Sequence, residues 1–316
     1  MMKLMMDFVG VTEAAALALV PWIGRGKKNE ADGVATAAMR EKLNQMEMDA
    51  VIVIGEGELD EAPMLYIGEK LGTGTGPELD IAVDPLEGTN LIMKGQGNSI
   101  SVIASARKGC LLHAPDMYLE KLAVGPKAAG KIDIEAPLYD NMKVVAAANG
   151  KSVSDLTIMV QDRERHNKII QEIQNAGARV QLFSDGDVSY TIAPAIESTG
   201  IDMLIGIGGA PEAVVSAVAL KCLGGEIQGR LLPSNQQEYD RCIQMGIAEP
   251  SKPLRMEQFI RTDECIFAAT GITEGLFLHG IRMIGNERVV THSMVTYGGA
   301  KKIHFIESVH ERLLVG

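Results

Sequence analysis

The chain has 316 residues, 46% hydrophobic and 22% charged, an ordinary globular composition with enough length for two cores. Its formal net charge of −11 disfavours nucleic acid and anionic membranes as general partners, but leaves room for a small anion held by local cations. Cys110, Cys222, Cys242 and Cys265 form no CxxC pair, which argues against zinc and for reduced thiols in a cytoplasmic protein; no apolar run approaches a membrane span, and MMKLMMDFVG is too short and mixed for a signal peptide.

Residues 11–23 are apolar and alanine-rich, and Pro21 interrupts them. An amphipathic helix is predicted over 34–47, after an Asp32-Gly33 turn. The β-branched run 50–54 reads as a buried strand. Asp60 can cap a helix reaching Lys70, with Pro63 in its first turn. Residues 79–84 alternate as a strand does, and 99–106 form another. The segment 138–156 offers a domain boundary, so the expected domains are 1–150 and 151–316. Beyond it strands at 156–160, 179–183 and 203–207 alternate with helices at 167–176, 188–197 and 211–223. That alternation predicts a largely parallel, helix-covered sheet. The last 50 residues or so read as strands, with turns at Gly271, Gly275 and Gly298-Gly299.

Three consecutive strands of that second half end in polar loops: Asp162-Arg163-Glu164-Arg165, Asp185-Gly186-Asp187 and Gly208-Gly209-Ala210-Pro211-Glu212. Ligands of open α/β sheets bind outside the carboxyl ends of the strands. If the three strands are parallel and adjacent, their loops border one crevice containing two arginines, an acid pair and a helix N-terminus. Arginine forks and helix-end N–H groups both suit phosphate.

The sharpest motif is Asp84-Pro85-Leu86-Glu87-Gly88-Thr89, directly after a predicted strand. A plain turn accounts for Pro85 and Gly88, but not for two carboxylates and a hydroxyl at one strand end. Asp84 and Glu87 can converge on one cation, with Thr89 holding a water. Gly55-Glu56-Gly57-Glu58 also follows a strand. It reads either as an acidic surface loop or as a backbone wrapped around a cation that relieves the repulsion of Glu56 and Glu58. Asp32 and Asp60 can simply cap helices, and Glu212 suits the first turn of any helix. Lys27 and Lys28 beside Arg25 can be a solvated charge run. Tyr118, Arg163 and Arg165 can be ordinary surface or packing residues. His166 opens a helix and needs no ligand role. Walker A, dinucleotide, calcium-loop and nucleophile-elbow signatures are not found in the sequence.

Asp84-Pro-Leu-Glu-Gly-Thr89 resembles the signature of the lithium-sensitive phosphatase superfamily, which holds the inositol monophosphatases and fructose-1,6-bisphosphatases. Gly55-Glu56-Gly57-Glu58, His113-Ala114-Pro115-Asp116-Met117-Tyr118 and Ile207-Gly208-Gly209-Ala210-Pro211-Glu212 narrow the resemblance to the class II bacterial fructose-1,6-bisphosphatases, over nearly the whole chain. Ala-Pro-Glu at the last acid, in place of Trp-Asp, separates it from the inositol monophosphatase branch. Glu164 departs from the uncharged residue expected between the two arginines.

The resemblance implies two α/β sandwich domains in a layered αβαβα phosphatase fold. It implies two Mg²⁺ or Mn²⁺ ions, one on Asp32 and Glu56, the other on Asp84, Glu87 and Glu212. Glu87, Gly88 and Thr89 would meet phosphate. Tyr118, Arg163, Glu164, Arg165, Asp185, Gly186, Asp187 and Gly209 would meet the sugar bisphosphate. Thr89, Glu56, Asp60 and Lys28 would serve the chemistry around the metals. The expected reaction is hydrolysis of fructose 1,6-bisphosphate to fructose 6-phosphate, in gluconeogenesis, by a cytoplasmic homo-oligomer. Alternatives are a phosphatase acting on sedoheptulose 1,7-bisphosphate or an inositol phosphate, and a non-catalytic sugar-phosphate sensor.

Overall fold

A computed structural model of the protein describes residues 1–55, 65–285 and 287–311. The chain opens with α1 (Met5–Leu19), α2 (Lys28–Asn44), β1 (Asp49–Ile54), β2 (Lys70–Leu71), β3 (Glu78–Glu87), α3 (Thr89–Met93) and β4 (Ile100–Arg107). It continues through β5 (Tyr118–Val124), α4 (Leu138–Asn149), β6 (Thr157–Gln161), α5 (Asn167–Asn175), β7 (Arg179–Phe183), α6 (Asp187–Ile192), β8 (Met203–Gly209) and α7 (Ala210–Leu223). Next come β9 (Glu226–Leu231), α8 (Gln236–Gln244), α9 (Met256–Phe259), β10 (Cys265–Gly271), β11 (Arg282–Ile284), β12 (Arg288–Tyr297) and β13 (Lys302–Glu311). The result is a mixed α/β protein with two helix-flanked sheets, the class the sequence predicts.

Two units divide the chain, and the first is discontinuous: Met1–Gly109 joins Glu264–Gly316, while Cys110–Asp263 forms the second. The chain does not divide at residue 150. Residues 138–156 lie inside the second unit, where α4 sends Met142, Val145 and Ala146 into the core beside Ile158 and Met203. Burying those side chains ties the segment to its sheet, so it cannot act as a linker.

In the first unit the sheet runs β11-β12-β10-β4-β3-β1-β2, with β13 paired to β12. Among the described residues, only β1 and β3 run parallel in this sheet. α1 stops at Leu19 because Pro21 cannot continue the hydrogen-bond ladder, and a 3₁₀ turn over Val20–Trp22 follows. Contrary to the expectation that no run reaches a membrane span, the helical stretch Met2–Trp22 is long and apolar enough to cross one. Its apolar side chains are taken up by the core: Phe8, Val11, Ala15 and Leu19 have no exposed surface and share a cluster with Ile81, Ile266 and Val295. Residues 56–64 lie outside the described ones. The helix expected from Asp60 is not present at its far end, because Lys70 and Leu71 pair with β1 as β2.

The second sheet runs β7-β6-β8-β5-β9. β6 is parallel to β7 and to β8, as the βα alternation requires, but β5 is antiparallel to both β8 and β9. The parallel part is therefore three strands of a mixed sheet. All three send their carboxyl ends to one margin, where the polar loops predicted to share a border begin.

Phe8 is among the largest fully buried side chains of the first unit. Phe8→Ala is expected to destabilise that unit by about 3–5 kcal/mol through lost transfer energy and a residual cavity. Urea unfolding monitored by circular dichroism measures it, and a loss under about 1 kcal/mol would show that the α1 face is not a close-packed core.

Candidate active site

The acid loop of the first unit sits at the end of β3, and a bulge sets its geometry. Asp84 pairs with Val102 and Glu87 with Ile100, so three steps along β3 match two along β4. Partners in an antiparallel ladder share a face, and Ile100 and Val102 are two residues apart. Asp84 and Glu87 therefore project from the same face, which regular alternation would forbid for residues three apart. Ile81, Val83 and Leu86 occupy the opposite face, in the helix-side core. Pro85 falls within the bulge, where a strand tolerates its missing N–H. The Leu86 N–H donates to Asp84 Oδ1 at 3.0 Å, and Gly88 turns the chain at φ +82 into α3. Thr89 opens α3 and donates its hydroxyl to the Leu86 carbonyl at 3.1 Å. The lone pairs of that hydroxyl oxygen are what it can offer a ligand.

Asp32 is not a turn residue. α2 begins at Lys28 and runs through Asp32-Gly33, because the helix is nucleated upstream of the glycine and held by Ala31, Ala35, Met39 and Leu43 in the core. Asp32 itself is buried, and its Oδ1 has no hydrogen-bond partner. Burial pushes its carboxyl above the ordinary value, with the Lys28 ammonium one turn earlier opposing that shift. A buried acid oxygen without a partner is what a bound cation would satisfy. Glu56, Glu58 and Asp60 lie outside the described residues.

In the second unit the three loops do meet. Arg163 Nη2 donates to the Ser184 carbonyl at 2.7 Å, bridging the ends of β6 and β7. Arg165 Nη2 donates to the Ile207 carbonyl at 2.8 Å and to Gln161 Oε1 at 3.0 Å, bridging β6 and β8. Its guanidinium also lies 4.8 Å from the ring centroid of Tyr118, which is 56% exposed and pairs with Gly209 across the sheet. Glu164 is exposed at the head of the short 3₁₀ turn between the arginines. Gly186, at φ +88, turns the chain after Asp185 into α6, so that Asp187 is its first residue.

Two glycines make room for two carboxylates. A Cβ on Gly208 would lie 2.1 Å from Asp187 Oδ2, and one on Gly209 would lie 1.9 Å from Glu212 Oε2. No other residue type fits without displacing these acids. Glu212 Oε2 is sealed from solvent and has no hydrogen-bond partner. Burial raises the Glu212 pKa, nearby Asp187 raises it further, and Lys121 opposes both. Asp187 is held by Lys121 Nζ at 2.5 Å and by Thr191 Oγ1 at 2.9 Å.

Lys121 escaped the sequence reading, although a lysine between Leu119 and Leu122 in a strand is a usable signal. His166 has the structural role expected of it. Its Nδ1 lies 2.7 Å from the Gln161 carbonyl, and the Ile207 N–H donates to Nε2 at 2.8 Å. Because Nε2 accepts, Nδ1 carries the proton, and the neutral ring staples the ends of β6 and β8.

Asp32, Lys28, Asp84, Glu87, Gly88 and Thr89 thus belong to the first unit. Tyr118, Arg163, Glu164, Arg165, Asp185, Gly186, Asp187, Gly209 and Glu212 belong to the second. Among the described residues no three His, Cys, Asp or Glu side chains form a ready cation cage. The expected donor set includes Glu56 and is divided between the units, and its fit rests on the orphan oxygens of Asp32 and Glu212.

Residues 2–310 match the family model described as bacterial fructose-1,6-bisphosphatase, glpX-encoded. The chain is 49% identical to fructose-1,6-bisphosphatase 1 class 2 of Escherichia coli K12, covering 98% of this chain and 95% of that protein. It is 46% identical to fructose-1,6-bisphosphatase class 2 of Haemophilus influenzae, covering 97% and 96%. A D-fructose 1,6-bisphosphatase class 2/sedoheptulose 1,7-bisphosphatase of Synechococcus is 44% identical, covering 98% and 95%.

Burial holds His166 below the ordinary imidazole pKa of 6.5; the Gln161 carbonyl opposes that shift, and Arg165 and Arg163 add to it. A lowered folded-state pKa means the unfolded chain binds the proton first, so stability from His166 is complete above about pH 6.5 and is lost as pH falls. His166→Gln is expected to lose about 1–3 kcal/mol at pH 7.5 and less at pH 5.5. Denaturant titrations of both proteins at the two pH values measure the difference. An equal loss at both would remove the neutral staple.

Proposed function

The chain belongs to the glpX-encoded family of bacterial fructose-1,6-bisphosphatases, and from that membership we infer that it hydrolyses fructose 1,6-bisphosphate to fructose 6-phosphate and inorganic phosphate. The observation that carries this reading is full-length likeness to class 2 enzymes in a chain that keeps Asp84-Pro-Leu-Glu-Gly-Thr89 and folds its two acids onto one face. The same signature is our ground for placing the protein in the lithium-sensitive phosphatase superfamily.

Asp32, Glu56, Asp84, Glu87 and Glu212 would hold two divalent cations, Mn²⁺ or Mg²⁺, since hard cations take carboxylate oxygens. When bound, such ions polarise phosphoryl oxygens and lower the pKa of water. The side chains do the rest. Thr89 spends its proton on the Leu86 carbonyl, so its lone pairs are left to accept from the attacking water and hold it in line. Asp60, Glu56 and Lys28 are the groups we assign to proton handling and charge balance around that step. Glu87, Gly88 and Thr89 take the phosphate that is cleaved.

Arg163 and Arg165 are anchored through backbone carbonyls, which fixes their planes before substrate arrives. We assign them the phosphate that is kept. Tyr118, Asp185, Gly186, Asp187 and Gly209 then contact the sugar, with Glu164 at the rim. A seven-carbon substrate, sedoheptulose 1,7-bisphosphate, is the second reading, favoured by the dual name of the Synechococcus relative. A cytoplasmic homo-oligomer acting in gluconeogenesis completes the proposal. All four cysteines are free, and β13 offers an edge with exposed Ile303, Phe305 and Val309 for self-association.

Phosphate release from each bisphosphate, with and without Mn²⁺, tests the reading. Release from fructose 1,6-bisphosphate that requires the cation is expected, and a sensor would release none. Thr89→Ala is expected to lower kcat about 10²–10⁴-fold with KM little changed, and Thr89→Ser to recover much of it. Unchanged kcat in Thr89→Ala would remove the assigned role.

Asp32 gives a test independent of turnover. A carboxyl pushed up by burial is most favourable below its ordinary pKa and costs stability as pH rises through the shifted value. At pH 7.5, without metal, Asp32→Asn is expected to raise the melting temperature by roughly 2–4 °C. Mn²⁺ should then stabilise the variant less than the native protein. Equal Mn²⁺-induced shifts in scanning fluorimetry would strike Asp32 from the donor set.

A further inference from the structure

Lys121 lies mid-strand in β5 with 2% of its surface exposed. Its neighbours across the sheet are both glycines, Gly206 on β8 and Gly229 on β9. The space over those two is taken by the His166 ring and by Leu119 and Phe259, and it is Gly208, two residues along β8, that borders the lysine: a Cβ there would lie 3.0 Å from Nζ and 3.1 Å from Cε. The stem leads to Asp187, where Nζ stands 2.5 Å from Oδ1. Thr191 donates to the same oxygen at 2.9 Å. Both bonds fall on Oδ1, and Oδ2 lies beside the strand end at Gly208, where a Cβ would come within 2.1 Å of it. A small cavity bordered by Lys121, Asp187, Gln161 and Phe183 adjoins the pair.

A buried ion pair is no more stabilising than well-packed apolar residues of the same volume, so its presence asks for another reason. The surroundings give one. Two acids stand close together here, and the protein treats them differently. Asp187 receives the buried ammonium. Glu212, whose charge Asp187 disfavours, keeps Oε2 without a hydrogen-bond partner. An acid already neutralised by the protein is suited to accept a hydroxyl hydrogen bond, while an acid left bare is suited to a cation.

We propose that Lys121 is a positioning residue for the sugar side of the site: it locks Oδ1 of Asp187 so that Oδ2 is presented to a hydroxyl of the sugar bisphosphate. This rests on the reading of the protein as a sugar bisphosphatase. Lys121 does not touch substrate; its effect on the sugar passes through Asp187, and its charge separately opposes the raised pKa of Glu212.

The test is a double-mutant cycle on KM, in saturating Mn²⁺, with Lys121→Met, Asp187→Asn and the pair together. Lys121→Met is expected to raise KM about 10- to 100-fold, the worth of one charge-assisted hydrogen bond, and to change kcat less than threefold or so. Asp187→Asn is expected to match it. The double variant should be no worse than Asp187→Asn alone. It should also regain the melting temperature lost by Lys121→Met, since no charge is left buried and unpaired. A folded Lys121→Met protein with native KM overturns the proposal, as do two KM effects that multiply. If Lys121→Met does not fold, the double variant decides: KM equal to that of Asp187→Asn supports the proposal, and a further rise overturns it. Failure of the native enzyme to release phosphate would instead sink the sugar bisphosphatase reading.

Discussion

Acid side chains held out of water without a partner are the constraint around which this protein is organised. Asp32 and Glu212 each bury an oxygen that nothing in the described structure satisfies. Both are held above their ordinary pKa, chiefly by burial. Such groups lower the stability of the chain standing alone. Hard divalent cations, which several carboxylates can share, would offset that loss in the reading proposed above.

The backbone is shaped to the same end. In the first unit a bulge at Pro85-Leu86 cancels the alternation that would send Asp84 and Glu87 to opposite faces. In the second, Gly208 and Gly209 vacate the volumes that Asp187 and Glu212 occupy. Around them the basic groups are committed to protein atoms: Arg163 and Arg165 to strand-end carbonyls, Lys121 to Asp187. Rigid anchoring of this kind reduces the ordering that a bound phosphate ester must impose.

Much of this was legible in the sequence where local chemistry and strand ends coincide. Asp84 to Thr89 announced itself because a turn needs neither two acids nor a hydroxyl. The three polar loops were placed at one margin correctly because parallel βα units leave few topologies. Other features depend on partners distant along the chain. Asp32-Gly33 reads as a turn locally, and only packing of α2 against the core overrides it. Lys121 gives only a local hint, a lysine among leucines in a strand, because its partner Asp187 lies 66 residues away along the chain. The discontinuous first unit could not be foreseen, since nothing near Cys265 says that β10 pairs with β4.

That pairing has a consequence for biogenesis. β10 fills the place between β4 and β12, so the larger sheet stays open along β4 while the whole of Cys110–Asp263 is being translated. The inserted unit is contiguous and can settle on the ribosome; the outer one must wait for the last strands to emerge. Until then β4 offers nascent chains a bare template of apolar residues, Val102 and Ile103 among them.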